Sequence, residues 1–272
     1  MTKYHCKATL EDVASIFNLK VAFKKAKQGK SFYQSVKDFE QDIDGNINKL
    51  HDDLLSHRYR TSEYRKEIIN DAGKERLISK LPFYPDRIVH WAIMLQLDKA
   101  FMNRFTTDTN AAISGRGTHT ALNLVRDALK NDPENTQYCL KIDVRKYFPH
   151  INHAVLKEMI CKLVNDFDLK MLIYEIIDSE PDGVPIGNYL SQYLANLYLS
   201  YFDYWVHTDL HVKHYSRYMD DMVFFAADRY TLVKVFREVQ WYLMKNLYLE
   251  IKDNWQIFST KDRYIDFIGY KI

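Results

Sequence analysis

From Leu10 onward apolar residues recur at three- and four-residue intervals, through Leu10, Val13, Ile16, Phe17 and Val21, with Thr9 and Ser15 available near the start as caps. Gln28-Gly29-Lys30 breaks this pattern. A second helical register follows through Phe32, Val36, Phe39, Ile43, Ile47, Leu50 and Leu54, with Gly45 its weak point, so residues 1–57 are expected to be helical. Between Arg58 and Pro82 the texture turns to strands. Tyr64, Glu67-Ile68-Ile69 and Leu77-Ile78 flank the turn cluster Asn70-Asp71-Ala72-Gly73, which predicts a β-hairpin. Helical spacing returns over Phe83 to Met102, through Ile88, Trp91, Ala92, Leu95 and Ala100, and again through Ala121, Leu122, Val125 and Leu129.

In Tyr138-Cys139-Leu140-Lys141-Ile142-Asp143-Val144 the period is two: Tyr138, Leu140, Ile142 and Val144 form a buried face, and Asp143 points off the other. One or two helices are expected over Leu156 to Ile177, and a further one over Gly187 to Trp205, whose stripe Leu190, Leu194, Leu197, Tyr201 and Trp205 faces the core. Along another side run Gly187, Ser191 and Ala195, bordered by Asn188, Gln192 and Asn196. Small residues in a row permit close approach, either by a helix or by a base pair in a groove. Arg217 to Phe225 is strand-prone with Asp220 and Asp221 at or beside a turn, Leu232 to Leu247 is amphipathic, and Leu249 to Lys252 is a short strand. No Pro-, Gly- or Ser-rich linker divides the chain. The fold class expected is α+β, helices laid on an antiparallel sheet.

The chain has 272 residues, of which 47% are apolar and 27% charged, ordinary for a globular protein. No apolar run approaches the roughly 18 residues of a membrane span, and the N-terminus lacks a signal-peptide core, so a cytoplasmic location away from membranes is expected. Cys6, Cys139 and Cys161 suggest neither a disulfide framework nor a zinc site. A net charge of +2 is weak for a nucleic-acid binder, but Lys20, Lys24, Lys25, Lys27 and Lys30 form one basic block and Arg58, Arg60, Arg65 and Lys66 another. Each is either a solvated face or a surface that tracks a phosphate backbone.

Candidate chemistry centres on the acids. Adjacent carboxylates repel, and burying them is costly unless a cation lies between them. Set beside the strand ending at Asp143, the hairpin bearing Asp220 and Asp221 gathers a ligand set suited to a pair of Mg²⁺ ions. Lys74 and Arg76 lie two apart, hence on one strand face, as either the charges of a plain exposed hairpin or a pair that suits a polyphosphate. In Ser114-Gly115-Arg116-Gly117-Thr118-His119, Arg116 stands between glycines as either a plain turn or a phosphate contact.

At these residues the chain resembles reverse transcriptases. Tyr218-Met219-Asp220-Asp221 is similar to their YxDD hairpin, Asp143 with Phe148 five positions later to their first catalytic strand, and Gly187 with Ser191 to their substrate-facing helix entry. Asp266-Phe267-Ile268-Gly269-Tyr270 resembles the primer grip. The likeness covers most of the chain from about Lys74 onward. It is nearest to the prokaryotic enzymes of diversity-generating retroelements, kin of group II intron and retron enzymes, because Ile186-Gly187 and Ser191-Gln192 stand where most relatives carry Gln-Gly and Ser-Pro.

The resemblance implies a right-hand polymerase: fingers over 58–135 and a palm over 136–272, with no thumb expected past the primer grip. The implied activity is RNA-directed DNA synthesis on an RNA template from a DNA or RNA primer, with Asp143, Asp220 and Asp221 holding two Mg²⁺ ions, Mn²⁺ being the alternative. By the same resemblance Lys74 and Arg76 contact the dNTP triphosphate, and Phe148 lies beneath its sugar, where a ring leaves no room for a 2′-hydroxyl. Ile186, Gly187, Gln192 and Lys252 complete the substrate set, and Arg116, Ser191, Tyr218 and Gly269 contact the strands. Ile186 cannot donate the hydrogen bond that a glutamine there makes, and Gln192 is more flexible than proline, so low fidelity is expected. A small basic accessory protein is the expected further partner. A phage-defence polymerase of the same fold, or a non-catalytic RNA-binding subunit, are the alternatives.

Overall fold

The computed structural model of the chain describes residues 6–71 and 74–272, with Asp71 and Lys74 described by their backbone only. Caps decide where the N-terminal helices begin and end. The register expected to run on from Leu10 is two helices, α1 (Leu10–Ala14) and α2 (Ile16–Ala26), because Ser15 ends the first and its side chain accepts the Asn18 N–H of the second. The next register likewise splits into α3 (Gln34–Glu40) and α4 (Ile43–Leu55). Asp42 caps α4 through the Gly45 N–H at 2.9 Å.

Strands β1 (Arg65–Asp71) and β2 (Lys74–Lys80) form the expected hairpin, with Ile69 opposite Arg76 and Ile68 opposite Leu77. Its turn residues Ala72 and Gly73 lie outside the described residues. A wide turn over Phe83–Arg87 leads into α5 (Ile88–Met102), followed by α6 (Thr118–Asn131) and β3 (Tyr138–Asp143). Then come α7 (His153–Leu163), α8 (Phe167–Asp178) and α9 (Tyr189–Thr208). The chain continues through β4 (His214–Tyr218), β5 (Asp221–Ala226), α10 (Arg229–Leu247), β6 (Gln256–Ser259), β7 (Asp266–Phe267) and β8 (Tyr270–Lys271). The strand expected over Leu249 to Lys252 is a single bridge between Val144 and Ile251.

Two compact units result. The first comprises the chain up to Asn103 with His153–Leu194. Helices α7 and α8, which lie in the 136–272 stretch, therefore belong with the N-terminal helices: the Leu10 N–H donates to Asp166, and Cys6 bridges to Val164. Asn18 ties α2 to α5 in this unit, donating to the Val13 and Ala92 carbonyls and accepting from Gln96. Phe23, Phe39, Phe83 and Tyr84 pack ring against ring beside it.

The second unit, Arg104–Asn152 with Ala195–Ile272, holds the antiparallel sheet in the order β4-β5-β3-β6. The alternation in β3 was expected to leave the Cys139, Lys141, Asp143 face open. At one end it is not, because α6 and the β7–β8 hairpin cover it, packing Ala121, Leu122, Val125 and Phe267 on Cys139, Val223 and Phe225. At the other end of that face Lys141, Asp143 and Asp221 stay half-exposed. Helices and an antiparallel sheet in one chain agree with the α+β expectation. Among the described residues no helix is long and apolar enough to cross a membrane.

His90, buried in α5 with no partner for its Nε2, is held neutral by that burial, its pKa pulled down to about 4. The unfolded chain takes up a proton below about 6.5 and the native one does not, so stability is lost as pH falls from about 6.5 to about 4. Urea unfolding across that window is expected to lose about 3 kcal/mol that a His90→Leu variant does not lose.

Candidate active site

The acids are brought together by strand register. Asp143, the last residue of β3, is the pairing partner of Asp221, the first of β5, and Asp220 lies in the two-residue turn joining β4 to β5. Met219, its neighbour in that turn, sits at φ 53°, a left-handed conformation that costs a non-glycine residue about 1–2 kcal/mol. The Val144 N–H donates to the Asp220 carbonyl at 3.3 Å, closing the turn onto the end of β3.

Each carboxylate has a distinct surrounding. Lys252 donates its ammonium to Asp143 Oδ2 at 2.6 Å and its backbone N–H to the Asp143 carbonyl at 2.8 Å. The Ile268 N–H, in the turn of the β7–β8 hairpin beside Gly269, donates to Asp221 Oδ2 at 3.2 Å. Burial, and then the Asp143 carboxylate, push the Asp220 pKa up to about 6. Burial pushes Asp221 up to about 6 as well, against the pull of Lys141 and the Ile268 N–H. Oδ1 of Asp143 and Oδ1 of Asp221 are buried without any hydrogen-bond partner.

Those two orphaned oxygens test the fit to a cation. Hard carboxylate donors, buried, unpartnered and mutually repelling, match what Mg²⁺ accepts. Among the described residues no three His, Cys, Asp or Glu side chains are drawn together tightly enough to enclose an ion. A cation held here would complete its sphere with water or phosphate oxygens, as Mg²⁺ ordinarily does.

The turn is supported from below by a network that the sequence did not single out. Arg217, on β4, is fully buried with Asp203 of α9, at 0% side-chain exposure for both. Its Nε donates to Asp203 Oδ1 at 2.7 Å and its Nη2 to Asp203 Oδ2, with Thr109 at 3.3 Å. Nη1 donates to Asn196 Oδ1 at 3.1 Å and to the Met219 carbonyl at 3.2 Å. Asp203 also accepts from Tyr215 and Thr109. Burial works against the guanidinium charge, and the Asp203 carboxylate more than offsets it, so Arg217 stays ionised. Arg217 stands between Ser216 and Tyr218 and Asp203 between Phe202 and Tyr204, and neither setting marks the residue as buried.

Other expected site residues of this unit are placed variously. Tyr218 is half-buried against the same cluster as Ile268. Phe148 is half-exposed, its ring edge-on to Tyr147, which is buried and bonded to the Ala195 carbonyl. Arg116 donates Nη1 to the Thr106 carbonyl at 2.6 Å, so part of its donor set fastens its own loop.

In the first unit a separate grouping forms around β2. Arg76 is exposed on β2, and the side chain of Lys74, expected beside it, lies outside the described residues. Ser79, further along β2, donates its N–H to the Ile186 carbonyl at 3.0 Å and its hydroxyl to Glu180, which Lys66 also pairs at 3.0 Å. Gly187, at φ 111°, lies so close that a Cβ would stand 2.7 Å from the Ile78 Cγ2. Glycine is required there for conformation and for space. The hairpin and the Ile186-Gly187 loop are thus one assembly.

Gln192 is half-buried on the first turn of α9. Ser191 does not belong with the contacts assigned to it: only 3% of its surface is exposed, and Ala195 and Asn196 are fully buried. The small-residue stripe is interior packing rather than a groove, because helical spacing places those positions beside the core stripe.

A model of the family described as reverse transcriptase (RNA-dependent DNA polymerase) matches residues 64–272. Protein YkfC of Escherichia coli K12 is 26% identical over 170 residues, 58% of this chain and 44% of that protein. Group II intron-encoded protein LtrA of Lactococcus lactis subsp. cremoris is 24% identical over 136 residues, 46% of this chain and 22% of that protein. This chain thus spans less than half the length of either relative. Among solved structures, apo telomerase from Candida tropicalis truncated from its C-terminal domain superposes with a TM-score of 0.56 at 12% identity, over 81% of this chain and 56% of that one. Telomerase from Candida albicans with a fragment of telomeric RNA gives 0.53 at 9% identity, over 80% of this chain and 46% of that one. The shared feature is the fold of fingers and palm.

Removing Asp203 strands a buried guanidinium. Asp203→Ala is expected to lower unfolding free energy by about 3–5 kcal/mol in urea titrations, and the paired change Arg217→Met with Asp203→Leu to recover most of it. A loss below about 1 kcal/mol for Asp203→Ala would mean the pair is not buried as described.

Proposed function

The chain belongs to the reverse transcriptase (RNA-dependent DNA polymerase) family, and from that membership we propose that it is an RNA-directed DNA polymerase extending a primer 3′-hydroxyl with dNTPs. The observation that carries this reading is the register pairing of Asp143 with Asp221 beside the Asp220 turn, with two buried carboxylate oxygens left unpartnered.

In this proposal Asp143, Asp220 and Asp221 would hold two Mg²⁺ ions, with Asp221 steadied by the Ile268 N–H. Divalent cations bound there would acidify the attacking hydroxyl and neutralise triphosphate charge. Lys252 balances the Asp143 charge, which supports a role for it beside the departing phosphate. Arg76 and Lys74 on the hairpin take the triphosphate, and the Ser79–Ile186 bond ties their strand to the loop that bears Gly187. Phe148 excludes a 2′-hydroxyl.

We assign the chain to the mutagenic retroelement type, on Ile186-Gly187 and Ser191-Gln192. In the structure the Ile186 backbone is fixed by β2 while its side chain offers no donor to a base, which supports loose pairing at that point.

Two outcomes test the reading. Asp220→Asn is expected to abolish primer extension on a defined RNA template while leaving the urea midpoint unchanged or slightly raised, since it removes charge that burial already disfavours. Extension at the wild-type rate would sink the assignment. Phe148→Ala is expected to lower the preference for dNTP over NTP by about tenfold or more, read from single-nucleotide incorporation. An unchanged ratio would remove Phe148 from the sugar pocket.

A further inference from the structure

Helix α10 has two faces of different chemistry. Its inner face, Leu232, Val235, Phe236, Val239, Leu243 and Leu247, is buried against the sheet. The contact runs through Tyr242 and Phe202 to Tyr215 and Phe224, on the side of the sheet opposite Asp143 and Asp221. On its outer face Tyr230, Lys234, Arg237, Trp241, Met244 and Tyr248 follow one another at alternating steps of four and three. That spacing sets them in one row about 27 Å long. Tyr230, Trp241 and Tyr248 are 68%, 53% and 64% exposed, and a row of three open aromatic rings is not the scatter of single apolar residues that any surface carries.

The charge of this helix is one-sided. The helix carries Arg229, Lys234, Arg237 and Lys245 against one acid, Glu238, within a chain whose net charge is only +2. Among the described residues none of those four cations makes an ion pair, and the Lys234 ammonium lies 4.3 Å from the Tyr230 ring centre. A partner helix would want Leu, Ile or Val along this line. Here the row offers aromatic faces with cations between them, Met244 being its one aliphatic member. Aromatic faces stack unpaired bases, and interleaved cations meet the phosphates between them. A duplex, its bases already stacked, has no use for the rings.

We propose that the outer face of α10 is a binding track for single-stranded RNA, on the side of the sheet away from the acids. The choice of RNA over DNA rests on the reading of the chain as an enzyme that copies RNA; the track itself rests on the row. The probe is a fluorescein-labelled oligouridylate of about 16 nucleotides, titrated against the full chain over a range of salt. Lys234→Glu with Arg237→Glu is expected to weaken binding at least tenfold and to lower the slope of log affinity against log salt by about 1.4, two phosphate contacts at about 0.7 each. Trp241→Ala is expected to weaken binding about tenfold with the slope unchanged, since it removes stacking and no charge. The conservative pair Lys234→Arg with Arg237→Lys should bind as wild type does. Unchanged affinity and slope in the charge-reversed and Trp241 variants overturns the track. So does loss of self-association by light scattering in place of RNA binding, and tighter binding of oligothymidylate overturns the assignment to RNA. Each residue is on the outer face, so all variants should retain the wild-type urea midpoint and full extension of a primer on a template with no unpaired overhang. If the wild type fails to extend any primer yet the binding results hold, the polymerase reading falls and the track stands.

Discussion

A guanidinium without access to water, that of Arg217, is where separate segments of the second unit meet: β4, α9, the Thr109 loop and the turn that bears Asp220. Burying such a charge has a large desolvation cost, and an apolar cluster of the same volume would often stabilise the fold as well or better. What the apolar cluster lacks is direction. Five N–H groups in a rigid plane fix the positions of Asp203, Asn196, Thr109 and the Met219 carbonyl relative to one another. That last contact holds a turn whose backbone is itself strained at Met219. The geometry of the acids therefore depends on a pair that touches no substrate.

The first unit manages a comparable problem by other means. A β-hairpin standing alone is marginal in water, and β1–β2 exposes Ile68 and Leu77 across from each other. Its base is fastened instead, through Ser79 to the Ile186 carbonyl and through Lys66 and Ser79 to Glu180. Fastening the base at Ser79 ties β2 directly to the loop that carries Gly187.

Periodicity and motif made much of this legible in advance. The period-two run in β3, the strand-prone stretch around Asp220 and the Thr9 and Ser15 caps all follow from local chemistry that the chain displays. What sequence did not display was which polar residues lie inside. Asp203 and Arg217 read as any charged residues in mixed company, and only the three-dimensional pairing of a helix with a strand reveals why both are at 0% exposure. Ser191 and Ala195 were ambiguous for the mirror reason: small side chains suit a close approach from either a ligand or the protein's own interior, and burial decides. The basic-aromatic row of α10 is hidden in the sequence because the apolar spacing of an amphipathic helix marks only its inner face. Its outer aromatics fall off the core stripe.

The pairing of Asp143 with Asp221 has a consequence for how such a site can change over generations. Side chains in a strand alternate faces, so moving β5 by one position would carry Asp221 to the side now held by Met222 and bring an apolar residue to the acids. A substitution along β3 or β5 alters volume or charge by a step, and neighbours can compensate. An inserted or deleted codon in either strand reverses the polarity of a whole face at once. A one-residue insertion or deletion in β3 or β5 is therefore harder to accommodate than a substitution at most of their positions.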